Sequence, residues 1–149
     1  PQRPPHAGVV SLLNRLLTVR LLDRAAVRCQ CPMALDAASE PEPDIAVVPS
    51  GDYLDEHPST AYFLVEVSRT TLAADRRRKI PLYARNRVPE VWLVDVKRRC
   101  VEVHRDPDGT TYRTVEIVPL TGTVCPTAFP DVVLPVRSFQ GTRAASATD

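Results

Sequence analysis

The sequence predicts an α/β (α+β) domain: a central mixed sheet flanked by helices, in the order helix, three strands, helix, strand, with a hairpin towards the C-terminus. Three observations predict it. Short, almost continuously apolar runs at 45–48, 62–67 and 91–96 have the length of buried strands. Two longer stretches, 7–23 and 71–86, have the length and pattern of helices. Segments 101–105 and 111–118 bracket Asp106-Pro107-Asp108-Gly109, a good turn sequence. Strands interleaved with helices in this way form one sheet with helices packed against it.

The first helix is expected from about Ala7 to Asp23, where Val9, Leu12, Leu13, Leu16, Leu17 and residues 19–22 keep roughly helical spacing. Ala26 to Cys31 reads as a strand, followed by a polar loop with an acidic end, Glu40 to Asp44. Ile45 to Val48 is a short buried strand closed by Pro49-Ser50-Gly51-Asp52. Tyr62 to Val67 is a second, apolar until Glu66. The second helix, from about Thr71 to Asn86, has Ser68, Thr70 and Thr71 as candidate caps. Pro81 lies inside it and cannot donate to the Arg77 carbonyl, so a kink is expected between Arg77 and Pro81. Val88-Pro89-Glu90 is a tight exit into a third buried strand, Val91 to Val96. Residues 120–139 suggest short extended pieces ending at Phe139, and the small polar tail 141–149 is expected to be disordered. No repeat or linker divides the chain, so 1–149 reads as a single domain.

With 149 residues, 44% of them hydrophobic and 25% charged, the chain has the size and make-up of an ordinary globular domain. A net charge of +1 excludes bulk polybasic attraction, so any contact with nucleic acid has to be local. No apolar stretch approaches a membrane span, and no membrane partner is expected. Cys29-Gln30-Cys31 is not a zinc-knuckle spacing. With no secretory features in view, the four cysteines read as reduced thiols of a cytoplasmic protein.

The cations are unevenly chosen: 17 of the 19 are arginine, and the two lysines are Lys79 and Lys97. Lys79 follows two acids at the ends of neighbouring apolar runs, Asp44 at the start of one and Glu66 near the end of the next. Two strand-end carboxylates bind a hard cation through oxygen. Such an ion polarises a phosphate and activates a water. A lysine adds a compact positive charge that the wide guanidinium fork supplies poorly. That combination is what metal-dependent phosphodiester cleavage needs.

Pro41-Glu42-Pro43-Asp44 followed by Ile45 to Val48 resembles the signature of the Uma2 family of endonucleases, within the PD-(D/E)XK nuclease superfamily. Leu64-Val65-Glu66-Val67-Ser68 resembles the family's second acidic motif. Asp75 to Lys79, Tyr83, and Val88 to Asp95 follow its continuation, while His6-Ala7 and Phe139 fit its two ends, so the resemblance covers roughly residues 6–139. It implies a restriction endonuclease-like core acting on DNA, with magnesium or manganese as cofactor. It assigns Asp44 and Glu66 as metal carboxylates, the Val67 carbonyl as a further metal ligand, and Lys79 as the catalytic lysine. Ser68 stands where the superfamily's usual lysine follows the glutamate, and the resemblance moves that role to Lys79 on the next helix. Two features depart from the family pattern. Its N-terminal hairpin, carrying a Glu and a Gly, is not represented in the chain, and the glycine often found before the Val-Pro-Glu exit is Arg87.

Other residues read as structural. Arg76-Arg77-Arg78 reads as a solvated helix face rather than a phosphate contact, and His6, His57 and His104 lack metal-ligand spacing. Glu42 is weighed as a third metal ligand. Asp75 and Lys79, at i and i+4, share a helix face and are weighed as a pair. Trp92 and Tyr83 read as core. Cutting two strands favours a homodimer. The competing functional reading is a catalytically inactive, nuclease-like module that binds nucleic acid or protein.

Overall fold

An i, i+4 ladder of Val9, Leu13, Leu17 and Leu21 makes one face of the first helix apolar, and all four side chains are buried. The computed structural model describes residues 4–68 and 71–141. In it this helix, α1, spans Pro4–Leu21 and runs into a 3-10 turn at Leu22–Arg24. It starts three residues before the expected Ala7, because two prolines are tolerated in a first helical turn, where the amides have no partner within the helix.

The strands follow as β1 Ala26–Cys29, β2 Ile45–Val48 and β3 Phe63–Val67. Helix α2, Leu72–Arg85, leads to β4 Glu90–Asp95. The hairpin strands β5 Cys100–Asp108 and β6 Thr111–Val118 come next, then β7 Thr123–Val124, β8 Leu134–Pro135 and the one-turn helix α3 Arg137–Gln140. Strands β1 to β6 form one sheet in sequence order. Only β3 and β4, joined across α2, run parallel; every other neighbour is antiparallel. This is the mixed, helix-flanked sheet expected from the strand lengths. The run ending at Phe139 closes in a short helix, not an extended piece. The tail from residue 142 lies outside the described residues.

Strand alternation divides the core in two. Ile45, Val47, Phe63, Val65, Trp92 and Val94 face α1, α3 and the C-terminal segment. Ala46, Val48, Leu64, Val91 and Leu93 face α2, which adds Ile80, Tyr83 and Ala84. Trp92 and Tyr83 are both buried, as core residues should be. The hairpin turn is tighter than expected. Pairing continues through Pro107↔Tyr112 and Asp108↔Thr111, leaving Gly109 and Thr110 to turn the chain, with Gly109 at φ +63°.

Helix α2 is capped at its start by Thr71, whose hydroxyl accepts from the Ala74 amide at 3.2 Å. It stays helical through Pro81. Its end is a Schellman motif: the Val88 amide donates to the Tyr83 carbonyl at 3.0 Å and the Arg87 amide to Ala84 at 2.9 Å. Arg87 therefore holds the left-handed conformation, φ +57°, which the family's glycine adopts without strain. Arg87→Gly is expected to stabilise the protein by up to about 1 kcal/mol, raising Tm by roughly 2–4 °C in a scanning calorimetry comparison.

Candidate active site at the end of strands β2 and β3

Strands β2 and β3 pair with Ile45 opposite Val65 and Ala46 opposite Leu64. Continued by one residue, that register sets Asp44 across from Glu66, both on the α2 face. Two acids 22 positions apart in the chain thus become neighbours through one antiparallel pairing.

Each is held by a different part of the fold. Asp44 is buried, at 4% exposure. Its Oδ2 accepts from the Val67 main-chain amide at 2.8 Å and lies 3.4 Å from His6 Nε2, delivered by the first turn of α1. Gln30 Nε2 reaches its Oδ1 at 3.4 Å, and the Gln30 amide donates to the Asp44 carbonyl at 3.1 Å. Glu66 is buried at 2% exposure. Both of its oxygens meet donors from α2: Lys79 Nζ donates to Oε2 at 2.6 Å, and the Tyr83 hydroxyl donates to Oε1. Lys79 and Tyr83 are i and i+4 on the face of α2 that meets the sheet.

Burial pushes the Glu66 carboxyl up. The Lys79 charge and its hydrogen bond, with the Tyr83 bond, pull it back, while the nearby Asp44 raises it again. The net direction is upward. Burial and the adjoining Glu66 together push the Tyr83 phenol well above its ordinary range, so it stays a donor.

The structure brings together Asp44, Glu66, Lys79 and Val67 of the residues expected from sequence. Val67 meets Asp44 through its amide. Glu42 is exposed, in the loop before the buried Pro43 and Asp44. Asp75 does not pair with Lys79: it accepts from Ser68 Oγ at 2.8 Å and lies 3.7 Å from Arg78 Nη2. Ser68 is consequently an anchor for the side of α2 rather than its cap. Among the described residues no group of three or more His, Cys, Asp and Glu side chains is placed to hold a metal ion, and the acidic centre is a pair.

Three expectations need correcting. His6, read as ordinary from its spacing, is buried against Asp44. Arg76 is not merely part of a solvated face: its Nε and Nη2 donate to the buried Glu102 at 2.8 and 2.7 Å. His104 is part of the same group, with Nε2 2.6 Å from Glu102 Oε1. Burial pushes the Glu102 carboxyl up, but the Arg76 and His104 hydrogen bonds and charges outweigh it and bring it down to about 2. Nothing in the spacing of residues 76, 102 and 104 reveals this, because a helix and a strand joined by a long connection meet only in the fold. His6 did carry a signal, as a polar residue at the start of the apolar ladder.

The family model described as "Putative restriction endonuclease", Uma2, matches residues 1–137. This chain belongs to the Uma2 family. A crystal structure of a "putative nuclease" from Anabaena variabilis is similar to it with a TM-score of 0.73 at 15% identity, over 94% of this chain and 82% of that one. At that identity the likeness is one of fold, and the fold is restriction endonuclease-like. No curated protein matches the chain. Among its described residues this Uma2 chain contains no helix long and apolar enough to cross a membrane.

Proposed function

We propose that this Uma2 chain is a magnesium- or manganese-dependent endonuclease that hydrolyses DNA phosphodiester bonds at Asp44, Glu66 and Lys79. The observation that carries the reading is Lys79 Nζ, delivered from α2 to within 2.6 Å of Glu66, beside a second strand-end carboxylate. The family description supports DNA as the substrate.

The donor set fits a hard divalent cation. It consists of oxygens alone, and Asp44 raises the affinity of Glu66 for a proton, so the two acids are close enough that a cation between them relieves their repulsion. Asp44, Glu66 and the Val67 carbonyl would hold the ion, which when bound supplies polarisation of the phosphate and an activated water. The remaining work falls to the chain. His6, Gln30 and the Val67 amide fix the Asp44 carboxylate. Tyr83 holds Glu66 from one side while Lys79 holds it from the other. Lys79 keeps a compact positive charge where negative charge develops on the phosphate oxygens. A homodimer would present two such sites to the two strands of a duplex.

The test is nicking of supercoiled plasmid by the purified chain, with and without magnesium or manganese, beside Asp44→Asn. The asparagine keeps an acceptor for the Val67 amide, so fold is preserved while the charge is lost. Metal-dependent nicking reduced by at least about 100-fold in the variant is expected, as for loss of several kcal/mol of electrostatic stabilisation. A folded wild-type chain that retains DNA equally with and without metal, and cuts none of it, would instead establish the nuclease-like binding module.

A further inference from the structure

Helix α2 is docked in two different ways. Its C-terminal half buries Ile80, Tyr83 and Ala84 in the core. Its N-terminal half fully buries only Asp75, sets Leu72 partly buried against the edge of that core, and otherwise meets the sheet through polar groups. Ser68 holds Asp75, Glu102 holds Arg76 in a two-point fork, and Glu66 holds Lys79. Pro81, one residue after the buried Ile80, has no amide to offer the Arg77 carbonyl. The turn that carries Lys79 is therefore missing one of the backbone bonds that would tie it to the well-packed half.

The two carboxylates that receive α2 lie in one row across the sheet. Leu93 of β4 is paired with Glu66 on one side and with Glu102 on the other. They stand two strands apart, roughly 10 Å. A helix pinned at one point can roll about its axis; pinned at two points on one row, it cannot. Glu102 is itself immobilised, since Oε1 takes both Arg76 Nε and His104 Nε2, and the His104 ring is packed edge-on to Tyr112 at 5.8 Å.

From this geometry we infer that Arg76, Glu102 and His104 form a positioning unit for Lys79, fixing the roll of the N-terminal half of α2 so that the ammonium falls on Glu66. The inference rests on Lys79 being the working lysine of the proposed nuclease, but its first readout does not. The chain has two lysines, so protein labelled with 13C-lysine gives two ε-carbon signals, assigned by Lys97→Arg. Lys97 is exposed in the turn after β4 and serves as the solvent reference.

In Arg76→Ala and in the isosteric Glu102→Gln, the Lys79 signal is expected to move at least half-way towards that of Lys97. Arg77→Ala, on the same helix at an exposed position, leaves it in place. Plasmid nicking by the same two variants is expected to lose about tenfold in kcat with KM for DNA unchanged. A Lys79 signal unmoved in folded Arg76→Ala and Glu102→Gln overturns the inference. So does loss of fold in Glu102→Gln, which would make the group a general stability element. A signal that moves in a protein whose wild type never nicks DNA leaves the positioning unit standing and refutes the nuclease reading alone.

Discussion

Lys79→Ala is expected to lower metal-dependent nicking by about 100- to 1000-fold, the scale of removing one well-placed electrostatic stabiliser. Two effects add. The compact charge that the proposed mechanism sets near the phosphate disappears. Glu66 also loses the group that most offsets its burial, which pushes its carboxyl still further up. A protonated Glu66 is a poor metal ligand, so the variant should require more metal and its activity should rise more steeply with pH than that of wild type. The direction follows from the linkage. A buried acid whose folded pKa is raised favours the protonated form, so the proton competes with the metal and loses ground as pH increases. Lys79→Arg is expected to recover little, because a guanidinium is too wide for a 2.6 Å single contact on a carboxylate already held by Tyr83. The checks are initial nicking rates against metal concentration at several pH values. Wild-type rates in Lys79→Ala would remove that residue from the mechanism.

Glu90→Ala is expected to be the most damaging single change to stability outside the apolar core. Glu90 is 2% exposed and collects four donors. Trp92 Nε1 reaches Oε2 at 2.6 Å. Oε1 takes Arg105 Nε at 3.0 Å, the Thr127 amide at 3.0 Å and its hydroxyl at 2.8 Å. One side chain thus ties β4, β5 and the C-terminal segment together. Removing it strands the buried indole N–H and a partly buried guanidinium, at a cost of about 3–4 kcal/mol. For a chain of this length that lowers Tm by roughly 10 °C. Glu90→Gln keeps an acceptor at Oε1 for Arg105 and Thr127 but turns an amide donor towards the Trp92 indole N–H, so it should lose about half as much. Denaturant melts of both variants give the comparison, and a loss of unfolding free energy below about 1 kcal/mol for Glu90→Ala would contradict the account.

The strand lengths, the helical periodicity and the paired strand-end acids are all legible in one dimension. An apolar run of four to six residues can become only a buried strand or a piece of helix, and its neighbours settle which. For that reason the amino-acid sequence by itself places β2, β3, β4, the two long helices and the strand ends at Asp44 and Glu66. The resemblance pointed to Lys79 for the same reason, since the family motif is itself a local sequence feature.

What the tertiary structure decided is everything that depends on which residues meet across the sheet. The antiparallel register of β2 on β3 set Asp44 opposite Glu66. The docking of α2 gave Lys79 to Glu66 and left Asp75 to Ser68. It also turned the Arg76 fork on to Glu102. The placement of α1 brought His6 to Asp44 across 38 positions of chain. Periodicity tells which side of an element is buried; it carries no record of the polar groups on the facing element. Those partners were supplied only when the sheet and its helices closed on each other.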